Sequence, residues 1–155
     1  MSGAIEGTGK RMNVHTTDEE KWLIREISQN HLKKKYREAR SRGADWPENL
    51  DEAVSEVLRR LSSAAREELV AIPKEELPGV WHFGVGLWIR NKFALASYLN
   101  VPLLLSCARA VGRVEEYRGQ EYSLLDADAA SAIIIAEAWK KLQSQNSSDS
   151  AEEGI

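Results

Sequence analysis

One cysteine, three histidines and two phenylalanines among 155 residues leave little room for several kinds of chemistry. With Cys107 alone an internal disulfide is impossible, which excludes a cysteine-rich secreted scaffold. Cys107 lies in the apolar run LLLSCARAV with no base close in sequence, and it reads as a buried spectator thiol rather than a nucleophile. His15, His31 and His82 are scattered, so no metal site and no cofactor are expected. The chain has no phosphate-binding glycine loop, zinc-protease motif or serine elbow. Adjacent carboxylates such as Glu67 and Glu68, Glu75 and Glu76, or Glu115 and Glu116 would not face one another on a helix, and they read as solvent-facing charge. Long apolar runs are missing as well. Nothing approaches the roughly 20 residues that span a bilayer, and the opening MSGAIEGTGKR lacks the apolar core of a signal peptide. A cytoplasmic protein without membrane contact is the expectation. Twenty-one basic residues face 24 acidic ones, a formal net charge of -3, which argues against bulk electrostatic attraction to nucleic acid.

What is present is helical patterning. Residues 1–15 and 143–155 are polar, small or acidic and are expected to be disordered tails, leaving a single helical domain over 16–142. Within it, 16–43 reads as an N-terminal arm helix. Thr16 and Thr17 each precede a glutamate by three residues, the capping-box spacing, and Gly43 is a plausible stop. Trp22, Leu23, Ile24 and Ile27 begin an apolar stripe on this arm that thins after Leu32 and Tyr36. Residues 45–142 form the core. Asn49 and Glu52 open a helix with Leu50, Val54, Val57, Leu58 and Leu61 on one face. A second short helix follows Ser62 or Ser63, and Pro102 opens a helix that closes at Gly112. VEEYRGQEYSLLD reads as a loop by composition. Asp126 or Asp128 then caps the last helix, whose packing face is expected around Ala129, Ile133, Ala136 and Trp139, widened by Ile134 and Ile135. The expected fold is all-α, an irregular compact bundle of five or six helices around a central apolar helix.

That central helix is expected over Val80–Phe93, where the chain reads VWHFGVGLWIRNKF. It is apolar nearly all round, and it carries Gly84 and Gly86 at a cost of roughly 1 kcal/mol each relative to alanine. A close backbone approach at either glycine would explain both. Arg90 is the oddity, because a covered guanidinium needs an anion. Asp126, Asp128 and Glu137 are the candidate partners for a structural ion pair, with external carboxylate or phosphate as the alternative. Asn91 reads first as a backbone-satisfying or helix-capping residue, with orienting a ligand as the alternative, and His82 as a hydrogen-bonded core histidine rather than a general base. Trp81 and Trp88, seven residues apart, read as core or, if exposed, as a partner-binding pair.

The segment LPGVWHFGVGLWIRNKFAL resembles the signature of a small group of uncharacterised bacterial proteins. There a helical stretch runs His, Phe, Gly, Leu, Gly, two apolar residues, Arg, Asn, any residue, Phe, Gly, Leu. The matching positions here are His82, Phe83, Gly84, Gly86, Leu87, Trp88, Ile89, Arg90, Asn91, Phe93 and Leu95, and AIIIAEAWKKL resembles the group's closing helix. The resemblance would span about Asp45 to Leu142. Ala94 stands where the group carries glycine, and the loop before Asp128 lacks the group's His-Pro-Asp-Asp run. The group is a domain of unknown function, so the resemblance implies a site and no reaction.

The expected function is non-enzymatic: a protein-binding or accessory protein, such as a toxin-neutralising one, in a bacterial or phage-infected cell. Its partner is another protein or a second copy bound through the first helix. The rival is a small anionic ligand or enzyme site at His82, Arg90 and Asn91. A third reading places nucleic acid on the basic run Lys33, Lys34, Lys35, Arg37, Arg40 and Arg42, which reads more simply as a solvated face matched to the helix dipole.

Overall fold

The structure is a computed structural model that describes residues 17–78 and 84–153, with side chains as far as Ser147. The chain divides into two units, Met1–His31 and Leu32–Ile155. The sequence reading ends its arm at residue 43, whereas the units part at His31, inside one helix, α1 (Asp18–Ser41).

In the first unit, Thr17 caps α1: its Oγ1 accepts from the Glu20 N–H at 3.2 Å. Asp18, Glu19 and Glu20 place negative charge at the positive end of the helix dipole. Leu23, Ile24 and Ile27 follow, and they are 51%, 59% and 61% exposed. Arg25 lies over the Trp22 ring at 4.8 Å.

The second unit holds the hydrophobic core. Tyr36, on the last turns of α1, is buried and meets the Trp46 ring at 5.9 Å. Gly43, at φ +99°, ends the run in the left-handed conformation that glycine adopts without a Cβ penalty. Helix α2 (Leu50–Arg60) opens on Asn49, whose Oδ1 accepts from Glu52 N at 2.9 Å, and the Glu52 carboxylate reaches back to Glu48 N at 2.9 Å. Its apolar face packs as the spacing predicts, with Ala53, Val54, Val57 and Leu58 buried and Leu50 and Leu61 against them. Helix α3 (Ser63–Ala71) is capped by Ser62 and buries Leu69. A short 3-10 turn, Lys74–Glu76, follows Pro73.

Helix α4 (Val85–Lys92) is shorter and wetter than the central rod expected over Val80–Phe93. Residues 79–83 lie outside the described residues, and Gly84, at φ -91° and ψ -101°, is not helical. Gly86, Ile89 and Arg90 are buried, but Gly84, Leu87, Asn91 and Lys92 are exposed. Among the described residues no neighbour approaches where a Gly84 Cβ would stand, and none of them gives that glycine a close-packing role.

After α4 the chain makes a tight loop to helix α5 (Val101–Ala110), which buries Val101, Leu103, Leu104, Leu105, Cys107 and Ala108. The expected loop beyond it is instead a β-hairpin, so the fold is mostly helical without being purely α. Strands β1 (Val114–Tyr117) and β2 (Gln120–Ser123) pair antiparallel, with Val114 opposite Ser123 and Tyr117 opposite Gln120. Arg118 and Gly119, at φ +51° and +78°, make the two-residue turn whose twist suits a hairpin. Buried Tyr122 and the pair Arg109–Glu121, with Nη2–Oε1 at 2.6 Å, anchor the hairpin beside α5.

The organising helix is the last one, α6 (Ala127–Glu153), against which α2, α3, α4 and α5 all pack. It begins with the Asp126 cap, Oδ1 to Ala129 N at 2.8 Å, and runs through 143–153, which the sequence reading gives to a tail. Its buried face is Ala127, Ala130, Ser131, Ile134, Ile135, Ala138 and Leu142. Of the expected face, Ile134 and Ile135 are buried, and Ala129, Ile133, Ala136 and Trp139 form the partly covered flank. Small residues at 127, 130, 131 and 138 let four helices approach one axis, which is why this helix rather than α4 is central.

Candidate functional site

Arg90 sits on the inward face of α4 and points to the start of α6. Its Nε lies 3.2 Å from Asp128 Oδ1, and its Nη1 donates to Ser131 Oγ at 3.2 Å. The Ser131 hydroxyl in turn donates to the Asp128 carbonyl at 2.9 Å, so it accepts from arginine while fixed in orientation by the helix itself. Of the three acids the sequence offers Arg90, only Asp128 forms an ion pair with it: Asp126 caps α6, and Glu137 pairs with Lys140 at 3.0 Å. The pair is lopsided, since the Arg90 side chain is 10% exposed and that of Asp128 58%.

The pair closes one end of a cleft of about 270 Å³. Leu77, Pro78, Ala132 and Ile135 supply its apolar walls, and Arg90, Asp128 and Ser131 its polar end. A larger concavity of about 380 Å³ lies on the other side of α4, walled by Trp46, Pro47, Trp88 and Phe93. Its main charges satisfy one another. The Arg59 and Arg60 side chains both hold Glu56, at 2.7 and 2.9 Å, and their hydrogen bonds lower the Glu56 carboxyl from 4.5 to about 2.

The remaining expected site residues are dispersed. Trp81 and His82 lie outside the described residues, so the expected tryptophan pair and core histidine do too. Trp88 is partly buried and meets Phe93 edge to face, with ring centroids 5.7 Å apart. Asn91 is exposed and lines neither cleft. On the basic run, Arg40 pairs with Glu48 at 3.3 Å and Lys35 approaches Glu38 at 3.9 Å. Lys34, Arg37 and Arg42 face solvent, and Lys33 is half-buried. Cys107 is fully buried, and desolvation pushes its thiol up to about 12, well above the range in which a cysteine attacks. Among the described residues no group of three metal-ligating side chains comes together, and no helix is long and apolar enough to cross a membrane.

Sequence reasoning missed Asn100. It is fully buried, its Nδ2 donates to the carbonyls of Pro47 (2.9 Å) and Phe93 (2.8 Å), and its Oδ1 accepts from Leu103 N at 3.2 Å. The local signal was there: asparagine two residues before Pro102 is an N-cap position followed by a first-turn proline. The two carbonyls were not foreseeable, because they come from distant turns. Ser131 was passed over as one small residue among alanines. Trp139 Nε1 and Gln143 Nε2, which donate to Ile72 and Val70 carbonyls at 2.9 and 2.7 Å, were also missed; they tie α6 to the end of α3.

These features define a helical domain built on a buried arginine and a buried asparagine. A family model described as a domain of unknown function, DUF6794, matches residues 46–102, little more than a third of the chain. The match holds Trp46, α2, α3, α4 and the loop to Pro102, and it stops short of the hairpin and α6. Its two ends are joined by the Asn100–Pro47 hydrogen bond. No curated protein and no solved structure matches the chain.

Proposed function

We propose that this is a non-enzymatic protein-binding or accessory protein, of the kind that a toxin-neutralising partner represents, acting in the cytoplasm of a bacterial or phage-infected cell. The observation that carries the reading is the apolar cluster Leu23, Ile24 and Ile27 on α1, each more than half exposed. Three large aliphatic side chains within five residues leave apolar surface in water. Covering them is worth about 1 kcal/mol or more apiece. A helical segment with apolar groups at i, i+1 and i+4 and acids on the preceding turn suits an amphipathic helix of another chain, including a second copy. The one thiol argues the same way: Cys107 is buried, and burial raises it well out of the range in which a cysteine attacks.

The test pairs the wild type with Leu23→Glu/Ile27→Glu, a change confined to exposed positions, with folding checked by circular dichroism. Sedimentation equilibrium reads self-association, and affinity capture from the host reads other partners. The variant is expected to lose whichever association the wild type shows while keeping its helix content. A wild type that stays monomeric and captures nothing, or a variant that binds as well as the wild type, ends the reading.

A further inference from the structure

The Arg90–Asp128 pair and the cleft beside it have a consequence separate from the α1 surface. The two charges differ in how firmly they are committed. The guanidinium of Arg90 is nine-tenths covered, held by Ser131 on α6, and meets the outside only at the polar end of the cleft. A buried cation of this kind requires an anion beside it. Asp128 supplies one, but its own side chain is 58% exposed, and it stands in the first turn of α6, where a carboxylate is favoured without help from arginine. The Asp128 carboxylate can therefore turn into solvent at small cost, whereas Arg90 cannot. An incoming carboxylate would replace the attraction that Asp128 provides.

The cleft decides which carboxylate gains from that exchange. Beyond the charged end its walls are Leu77, Pro78, Ala132 and Ile135, so a fully polar anion such as acetate or phosphate gains nothing there that water does not already offer. An anion with an apolar body buries that body as well. A space of about 270 Å³ holds about nine waters at roughly 30 Å³ each, the bulk of a short aliphatic chain. The geometry points to a binding site for a small amphipathic monocarboxylate, with its head on Arg90 and Ser131, its chain between Pro78 and Ile135, and Asp128 as the built-in competitor it displaces.

The probe is sodium octanoate, titrated into ¹⁵N-labelled full-length protein, with octanol and acetate as controls. Octanoate is expected to shift the amides of Ser131, Ala132 and Ile135 saturably, with octanol and acetate at least tenfold weaker. Asp128→Asn removes the competitor and is expected to tighten octanoate binding about threefold or more. A merely structural ion pair predicts the opposite, a destabilised protein indifferent to octanoate. If Asp128→Asn is too unstable to titrate, octanoate must raise its melting temperature by more than it raises that of the wild type. Ala132→Trp, at an exposed position of α6, fills the cleft without touching the ion pair and is expected to abolish binding. The inference is overturned by an absence of saturable shifts in the wild type, by octanol matching octanoate, by Asp128→Asn binding no tighter and gaining no stability from octanoate, or by Ala132→Trp binding normally.

Discussion

The side chain of Asn100 reaches the carbonyl of Pro47 at 2.9 Å, closing a hydrogen bond between residues 53 positions apart. The same amide group holds the Phe93 carbonyl, and its oxygen caps α5 at Leu103. One fully buried side chain thus fixes the turn before α2, the end of α4 and the start of α5. Asn100→Ala leaves two carbonyls and one N–H without that partner, and it is expected to cost about 2–4 kcal/mol. Asn100→Asp keeps the cap acceptor but sets a carboxylate against two carbonyl oxygens, so it should cost at least as much. Urea unfolding of the three proteins checks the order. An alanine variant within 1 kcal/mol of wild type would show that Asn100 is replaceable.

Ala94 follows the end of α4 at φ +58°, the left-handed region that disfavours any side chain with a Cβ. The backbone turns there because Leu95 N and Ala96 N both return to the Arg90 carbonyl, at 2.9 and 3.0 Å. Ala94→Gly is expected to stabilise the protein by about 0.5–1 kcal/mol, the relief of backbone strain exceeding the added freedom of the unfolded chain. For a chain of this size that is a rise of roughly 1–4 °C in Tm by calorimetry. An unchanged or lower Tm would mean that the strain is absorbed elsewhere.

The Glu56 carboxyl, held near 2 by hydrogen bonds from Arg59 and Arg60, ties acid stability to one site on α2. Its folded value lies below the ordinary 4.5, so the contribution is fully present above about pH 4.5 and is lost as pH falls toward 2. Both arginines are at least half exposed, so solvent screening limits the contribution to under about 1 kcal/mol. Glu56→Gln is expected to lower stability modestly at pH 7 and to match the wild type near pH 2. Parallel urea titrations at pH 7, 4 and 2.5 measure that convergence. A gap that stays constant over this range would remove Glu56 as its source.

Features encoded by neighbours in sequence were legible, and those encoded across the fold were not. Asn49 caps its helix where the spacing places it, and Thr17 and Asp126 are each one of two neighbouring caps the sequence offers, because a cap is a bond to an N–H two or three residues on. The face of α2 follows for the same reason. The hairpin has the composition of a loop because its strands are four residues each and its turn is Arg-Gly, not one of the stronger asparagine- or aspartate-glycine signals. The face of α6 is legible only as a broad one, since isoleucines at 133, 134 and 135 occupy adjoining sides of the helix, and the four helices around it bury Ile134 and Ile135 most deeply. The sequence offers Arg90 three acids, and the one that lies within reach is Asp128. Choosing it required knowing which turn of α6 lies over α4. The Leu77–Pro78 wall of the cleft depended on the same tertiary placement.

Cys107 provides a chemical reporter of the core. Its side chain lies wholly inside α5's buried face, and burial lifts its thiol from 9.0 to about 12. Thiolate is the reactive form, so at pH 8 the folded protein is expected to resist iodoacetamide while the unfolded chain reacts readily. The labelling rate should therefore follow the fraction of open molecules and rise with urea along the unfolding curve. The same shift fixes a direction with pH: a group raised on folding contributes stability below its unfolded value of 9.0 and loses it progressively as pH climbs toward 12. Cys107→Ala should be less sensitive to pH over that alkaline range, though it leaves a small cavity in the core. Mass spectrometry of timed labelling decides the matter. Rapid modification of the native protein at pH 8, without urea, would place Cys107 on a surface or in a segment that opens far more often than the core of α5 and α6 allows.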